Sequence, residues 1–222
     1  MIARTPFFDD CLKQRIADGI GQMVVLGAGY DTRAFRFRHL LQAVKVFEVD
    51  KPETQAAKVA KARKLTRATP AHVIYVPVDF DTDSLEDQLI ARGYDPTVKT
   101  MFVWEGVTMY LTAEAVDHTL AFVAGRSGPR SSIVFNYVHK AVTDGADVSD
   151  AAVKWRTALE RRGAPARFGI ENGQIEKFLA ERGLSVIERA DVGTYKASFA
   201  KANRTRPILS FMPAVHARVG LE

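Results

Sequence analysis

Short apolar runs alternate with helical stretches along most of the chain. Five of the runs are rich in β-branched or aromatic residues and are nearly continuous, instead of alternating with polar positions. They occupy residues 22–26, 44–49, 73–78, 101–104 and 132–137. Continuous runs of this kind are typical of strands that are buried on both faces of a parallel sheet.

The segments between these runs have the spacing of amphipathic helices. Pro52 suits the first position of one helix, and Thr112 is a candidate cap for another. Because strands and helices alternate, we expect right-handed crossovers and one α/β domain over residues 1–222. The sheet is predicted to be doubly wound and mostly parallel, with an antiparallel C-terminal strand. Helices are predicted at residues 53–65, 83–91, 112–124, 151–161 and 169–183, and a final pair of strands at 184–187 and 210–219.

Composition agrees with a globular domain around one core. Of the 222 residues, 47% are apolar and 26% are charged. The only cysteine, Cys11, excludes an intramolecular disulfide, fits a reducing compartment and is interpreted as a small apolar residue. The first residues lack the pattern of a signal peptide. No apolar run approaches the ~18 residues that a membrane-spanning helix requires. We therefore expect a cytoplasmic protein without a membrane partner.

The basic residues are spread along the chain with acids between them. A net charge of +5 is compatible with nucleic-acid binding. The densest basic group falls on the helix predicted at residues 53–65, where a solvated helix face explains it better. Nucleic acid is therefore not expected as a partner, and the five scattered histidines predict no metal site. The basic group consists of Lys58, Lys61, Arg63, Lys64 and Arg67.

The most informative segment, residues 24–37, takes a buried strand directly into a glycine turn. Gly27, Ala28 and Gly29 form a G-x-G pattern, in which glycine permits a tight turn and lets a ligand approach the backbone. The helix that follows would point free N–H groups at such a ligand. Taken alone, the pattern also fits an ordinary strand-to-helix turn.

Asp50 ends the next predicted strand, about 20 residues after the glycine turn. A carboxylate at this place accepts hydrogen bonds from the two ribose hydroxyls of an adenosine ligand. It also suits an N-cap for the helix that begins near Pro52, and the two roles are compatible. Together the turn, the spacing and the carboxylate predict a cofactor that contains adenosine.

The residues after the glycine turn distinguish between two such cofactors. A dinucleotide fingerprint requires a third Gly or Ala where Thr32 stands. Asp31 would repel a diphosphate and attract an ammonium or sulfonium group. The sequence therefore predicts S-adenosyl-L-methionine as the cofactor, and a nicotinamide-dependent oxidoreductase is the weaker alternative.

Two further strand ends carry candidate ligands. Asp79 and Phe80 follow the third strand, where Asp79 is placed to accept from an adenine amino group and Phe80 offers its backbone and an apolar face. A turn built by Asp79, Asp81 and Asp83 explains these acids equally well. Glu105 follows the fourth strand, at the edge where this fold class places its chemistry, and is predicted beside the methionine end of the cofactor.

These motifs together resemble the leucine carboxyl methyltransferase-like family of class I methyltransferases, which includes bacterial polyketide-type O-methyltransferases. The resemblance covers most of the chain, and its specific parts are YDTRAFR after the glycine turn and EGVTMYL after the fourth strand. The matching stretches are RTPFFDD (4–10), VVLGAGYDTRAFRF (24–37), FEVDKPETQAAK (47–58), VPVDF (76–80), WEGVTMYL (104–111) and FGIENGQIEKFLAERGL (168–184).

The resemblance implies a Rossmann-like fold and methyl transfer from S-adenosyl-L-methionine to a carboxylate or hydroxyl of a small molecule. A hydroxyl acceptor would require a general base, and none stands out among Glu105, Tyr137 and His139, so the catalytic residue is left unassigned. The resemblance also implies that Gly27 and its turn hold the methionine part, Asp50 the ribose, Asp79 and Phe80 the adenine, and that Glu105 lies near the amino acid moiety while Arg4 grips its carboxylate.

Relatives in this family usually carry a longer segment before the RT-x-FF-D element, which covers the cofactor and shapes the acceptor pocket. Here Arg4 stands three residues after Met1, so a shortened lid is expected. The expected outcome is retained cofactor binding with weak methyl transfer, unless a partner chain in a homodimer completes the site. A catalytically silent cofactor binder is the alternative. Methylation of nucleic-acid bases is disfavoured, because EGVT replaces an Asn/Asp-Pro-Pro-aromatic element.

Overall fold

A seven-stranded sheet with helices packed against it forms the fold. The computed structural model describes residues 4–66, 71–201 and 208–220. The strands are β1 (Gln22–Leu26), β2 (Lys45–Asp50), β3 (Val73–Pro77), β4 (Thr100–Trp104), β5 (Ser132–Asn136), β6 (Leu184–Ala190) and β7 (Ala214–Val219). Within the described residues their order is β3-β2-β1-β4-β5-β7-β6.

The helices connect successive strands, and a short 3₁₀ turn at Thr108–Tyr110 follows β4. None of the helices in the described ranges is long and apolar enough to cross a membrane. They are α1 (Thr5–Ala17), α2 (Arg33–Arg36), α3 (Pro52–Thr66), α4 (Leu85–Ile90), α5 (Ala113–Gly125), α6 (Lys140–Thr143), α7 (Asp150–Glu160), α8 (Ile175–Ala180) and α9 (Val192–Lys201).

Strand pairing follows the prediction from the sequence. β1 pairs in parallel with β2 and β4, and the parallel pairing continues to β3 on one side and to β5 on the other. β7 runs antiparallel between β5 and β6. The predicted mostly parallel, doubly wound sheet with an antiparallel C-terminal strand is confirmed.

Several element boundaries differ from the prediction. The crossover helix predicted at residues 169–183 is limited to Ile175–Ala180. The reason is that Ile170 pairs with His139 in an isolated bridge and Gly173 has a φ of +78°, so helix geometry begins only afterwards. The helices α1 and α9 lie in segments for which the sequence predicted no helix.

The central strands are buried from end to end. Every residue of β1, β4 and β5 is buried, as continuous apolar runs in a parallel sheet require. Side chains alternate between two apolar clusters, one on each face: Val24 belongs to the first cluster and Met23 to the second. Phe8 and Leu12 of α1 pack into the second cluster. The first helix is therefore part of the core.

One residue of the basic group on α3 departs from the expected solvated face. Lys58 is only 5% exposed, and its Nζ lies 2.7 Å from Oε2 of the buried Glu48 in β2. Burial raises the pKa of Glu48, and the attraction to Lys58 offsets part of this effect. The expectation of a solvated face is thus wrong for Lys58. Lys61, Arg63 and Lys64 are exposed, and Arg67 lies outside the described residues.

His216 in β7 should make the fold sensitive to acid. Its side chain is fully buried, and this burial, together with the nearby Arg15, lowers the pKa of His216 to about 4. In the unfolded chain the pKa of histidine is about 6.5. Between these two values the unfolded chain binds more protons than the folded chain, so stability decreases as the pH falls below about 6.5.

We expect the lowered pKa of His216 to make the free energy of unfolding about 2 kcal/mol smaller at pH 5 than at pH 7. His216→Gln should remove that part of the pH dependence, measured by urea unfolding at both pH values. His39→Gln, a substitution at an exposed position, is the matched control and should leave the pH dependence of stability unchanged. An undiminished pH dependence in His216→Gln would contradict the assignment.

Candidate functional site

A cleft opens at the carboxyl edge of the sheet, between the loop that follows β1 and the loop that follows β4. Its volume is about 380 Å³, within the range of small-molecule sites. In an open α/β sheet, the reversal of strand order creates such a crevice, and here the order reverses between β1 and β4. The residues named from the sequence that line the cleft are Arg4, Gly27, Ala28, Gly29, Asp31 and Glu105.

The glycine turn forms the floor of this cleft. Gly27 has a φ of +63°, and a Cβ built on it would lie 2.4 Å from Cγ2 of Val107. The turn is tied to the neighbouring strand, because the backbone N–H of Ala28 donates to the carbonyl of Val49 at 2.8 Å. Only glycine therefore fits at position 27 without displacing the loop after β4.

Asp50 joins the end of β2 to the glycine turn. Its Oδ2 accepts a hydrogen bond from the backbone N–H of Gly29, and its Oδ1 accepts one from the N–H of Lys51 at 2.7 Å. Within the described residues, no bond runs from the first turn of α3 to this carboxylate, so the N-cap role that the sequence left open is not observed. A carboxylate has about four lone-pair sites, and two remain for a ligand.

A buried arginine connects three carboxylates beside the cleft. Arg33 is 2% exposed and donates from Nε to Asp9 at 2.7 Å, from Nη1 to Asp31 at 2.5 Å and from Nη2 to Glu105 at 2.6 Å. Burial alone would lower the pKa of Arg33, but the three carboxylates raise it above its usual range. The negative charge of Asp31, on which the choice between cofactors depended, is therefore partly compensated by Arg33, which it shares with two other acids.

The first helix supplies the other partners of Glu105. Arg4 donates from Nε to Oε1 of Glu105 at 3.0 Å, and the hydroxyl of Thr5 donates to the same oxygen at 3.3 Å. A Cβ on Gly106, whose φ is +78°, would lie 2.7 Å from Nη2 of Arg4. The absence of a side chain at Gly106 thus leaves the space in which the Arg4 guanidinium lies at the edge of the cleft.

Asp79 and Phe80 lie away from the lining of this cleft. Oδ1 of Asp79 accepts from the N–H of Asp81 at 3.1 Å, and Asp79 donates its own N–H to Asp83 at 2.8 Å. Lys51 forms a 2.9 Å ion pair with Asp79, and this hydrogen bond lowers the pKa of Asp79. The turn among the acids is therefore present, and the adenine role stays a prediction. Phe80 lines a separate surface cavity of about 430 Å³.

The motifs that build this cleft occur together in a known protein family. Residues 1–124 match the family model described as leucine carboxyl methyltransferase. The chain belongs to the leucine carboxyl methyltransferase family. The resemblance of the glycine-turn and EGVTMYL motifs to this family is thereby confirmed.

Relatives of this family member occur in several bacteria. YktD of Bacillus subtilis, provisionally named an S-adenosyl-L-methionine-dependent methyltransferase, is 32% identical over 187 residues. A protein of Frankia alni with the same provisional description is 34% identical over 159 residues. The matches cover 84% and 70% of this chain, but only 61% and 55% of the two relatives. The chain thus matches little more than half the length of these proteins.

Solved structures agree at the level of the fold. An O-methyltransferase family protein from Burkholderia thailandensis superposes with a TM-score of 0.63 at 10% identity, covering 98% of this chain and 56% of that one. Magnesium protoporphyrin IX methyltransferase from Synechocystis PCC 6803, solved with bound SAH, gives a TM-score of 0.59 at 12% identity, covering 98% and 84%. This chain of the leucine carboxyl methyltransferase family therefore has the fold of class I methyltransferases.

Three charged residues were not predicted from the sequence: Arg33 and Arg36 line the cleft, and Asp9 accepts hydrogen bonds from both. Asp9 and Arg33 fall within the stretches RTPFFDD and YDTRAFR, but neither was singled out as functional. Arg36, 38% exposed at its side chain, donates to both oxygens of Asp9 at 2.8 and 3.0 Å. The available signal was the run of acids and arginines in both motifs.

The three residues considered as general bases differ in their surroundings. Burial raises the pKa of Tyr137 to about 12, so this phenol stays protonated at neutral pH. His139 is half-buried, and burial lowers its pKa. Both oxygens of Glu105 accept from arginines. In the part of the chain that the structure describes, no group of His, Cys, Asp and Glu has the arrangement of a metal site.

Gly27→Ala should destabilise the protein by more than backbone strain alone. A positive φ costs a residue with a Cβ about 1–2 kcal/mol, and the contact with Val107 adds about 1–3 kcal/mol of overpacking. Gly93→Ala is the matched control, because Gly93 has a φ of +84° and a Cβ placed there would have no atom within 4 Å. Urea unfolding should give the larger loss for Gly27→Ala, and adding Val107→Ala should recover the difference. Equal losses for both glycines would contradict the steric explanation.

Proposed function

We propose that this chain binds S-adenosyl-L-methionine in the cleft between the β1 and β4 loops and uses it to methylate a small molecule. The observation that carries the proposal is the glycine turn bonded to Asp50 at the reversal of strand order. Family membership supports it, because relatives carry the name of methyltransferases that depend on this cofactor.

The residues that line the cleft fit the amino acid end of this cofactor, and residues at neighbouring strand ends are proposed to hold its adenosine end. Asp50 is proposed to accept from the ribose hydroxyls, and the glycine turn leaves room for the ligand against the backbone. At the other end, Arg4 is proposed to bind the amino acid carboxylate, and Glu105 with Asp31 to stabilise the ammonium group. Asp79 and Phe80 are proposed to flank the adenine. When bound, the cofactor supplies an electrophilic methyl group, and the protein holds it in line with the acceptor.

A carboxylate is the acceptor that this chain's residues favour. Methyl transfer to a carboxylate requires no proton removal, whereas transfer to a hydroxyl requires a base. The phenol of Tyr137 stays protonated, Glu105 is held by two arginines, and His139 is not among the residues that line the cleft. O-methylation of a small carboxylate is therefore the finer proposal, with a hydroxyl second. A homodimer that completes the acceptor pocket stays a prediction.

Calorimetric titration of the purified chain tests the cofactor. We expect S-adenosylhomocysteine to bind, and NAD and NADP to bind far more weakly, because Thr32 stands where the dinucleotide fingerprint has a small residue. Tighter binding of NAD than of S-adenosylhomocysteine would contradict the cofactor assignment and favour an oxidoreductase. Release of labelled methyl groups to a panel of small carboxylates and hydroxyls then separates an enzyme from a silent binder. Cofactor binding without transfer to any acceptor would favour the silent binder.

Asp50→Ala should weaken cofactor binding by about 30-fold to several hundred-fold. The reason is that charge-assisted bonds from two hydroxyls are together worth ~2–4 kcal/mol. Asp95→Ala is the matched control, since Asp95 is exposed in the loop before β4 and accepts from Thr97. Titration of both variants with S-adenosylhomocysteine makes the comparison, after urea unfolding has verified that each is folded. Unchanged affinity in Asp50→Ala would place the ribose site elsewhere.

A further inference from the structure

We propose that Arg33 is a positioning residue for the amino acid end of the ligand. Its guanidinium holds Glu105, Asp31 and the first helix in one arrangement, and through Glu105 it orients Arg4. This inference rests on the proposed binding of S-adenosyl-L-methionine and adds a residue that does not itself have to touch the ligand.

Arg33 gathers groups from three separate parts of the chain. Asp9 belongs to α1, Asp31 to the loop after β1, and Glu105 to the loop after β4. Each receives a hydrogen bond of 2.5–2.7 Å from a different nitrogen of the same guanidinium. The planar group also lies 5.5 Å from the ring of Phe8. All of this occurs at a side chain that is 3% exposed.

The shape of the guanidinium explains why this position holds arginine. Its five donors point outward in one rigid plane, so three carboxylates can be bonded in three directions at once. A lysine ammonium is a compact point charge and cannot reach the same three positions from one stem. Because the three carboxylates would otherwise repel one another, loss of the guanidinium should let them separate.

The effect on the ligand passes through Glu105 to Arg4. Oε2 of Glu105 is fixed by Arg33, and Oε1 accepts from Arg4 and from the hydroxyl of Thr5. Within the described residues, Nε of Arg4 is the one guanidinium atom of that residue that forms a hydrogen bond, so its terminal nitrogens are available to a carboxylate. If Glu105 turns away, Arg4 loses the bond that orients it.

The adenosine end is held by different bonds. The carboxylate of Asp50 accepts from the N–H groups of Gly29 and Lys51, and neither bond involves Arg33. A positioning role therefore predicts damage at one end of the ligand alone. A general structural role in holding α1 on the sheet would instead weaken both ends together.

Two ligands that share the adenosine end distinguish the positioning role from the general structural role. S-adenosylhomocysteine carries the amino acid moiety, and 5′-methylthioadenosine lacks it. We expect Arg33→Met to weaken the binding of S-adenosylhomocysteine by about 10- to 100-fold, as loss of charge-assisted bonds implies, and the binding of 5′-methylthioadenosine by less than about 3-fold. Arg33→Lys should give a selective loss of intermediate size. Arg182→Met is the control, because Arg182 forms an ion pair with Asp117 and does not line the cleft.

Isothermal titration of each variant with both ligands gives the ratio of the two affinities. If Arg33→Met does not fold, Arg33→Lys carries the test, since it keeps a positive charge among the carboxylates. Equal losses for both ligands, or no loss for either, would overturn the positioning role. A similar selective loss in Arg182→Met would also overturn it. Wild-type chain that binds neither ligand would overturn the proposed function, and this inference with it.

Discussion

The reversal of strand order between β1 and β4 is the constraint on which the site depends. The chain leaves β1 toward β2 on one side, and β4 continues the sheet on the other. The loops that follow β1 and β4 therefore diverge, and the crevice between them needs no special residue to exist. What the local sequence adds is space, through Gly27 and Gly106, and charge, through Arg33 and Glu105.

One buried ion pair and one buried group of several charges lie near this crevice. Glu48 and Lys58 form a pair between β2 and α3, and burial raises the pKa of the acid. Around Arg33, three carboxylates compensate one guanidinium, and Arg4 and Arg36 supply the remaining positive charge. Removing one member of such a group leaves an unpaired buried charge, which costs more than the intact group contributes. The presence of these buried charges is therefore weak evidence for a net gain in stability.

The sequence predicted the parts of the molecule that depend on local pattern. Continuous apolar runs located the five parallel strands, because burial on both faces favours apolar residues at successive positions. The G-x-G turn and Asp50 stand at strand ends, and the structure joins them through the N–H of Gly29. The helix α1 was missed, although Phe8, Leu12 and Ile16 are spaced for one helical face, because the segment as a whole is only weakly amphipathic.

The contacts that the sequence did not predict join segments far apart in the chain. Asp9, Arg33 and Glu105 lie in three separate parts of the chain that the fold brings together, and no spacing in the sequence encodes their distances. The two ends of the proposed ligand site differ in the same way, between contacts at neighbouring strand ends and contacts between distant segments. At the Asp50 end, neighbouring strand ends provide the bonds, so that half follows from the fold itself. At the Glu105 end, the bonds come from residues at and near the start of α1, so they require this helix to pack against the sheet. In the proposed binding mode, recognition of the amino acid end thus depends on how α1 packs, whereas recognition of adenosine depends on the sheet.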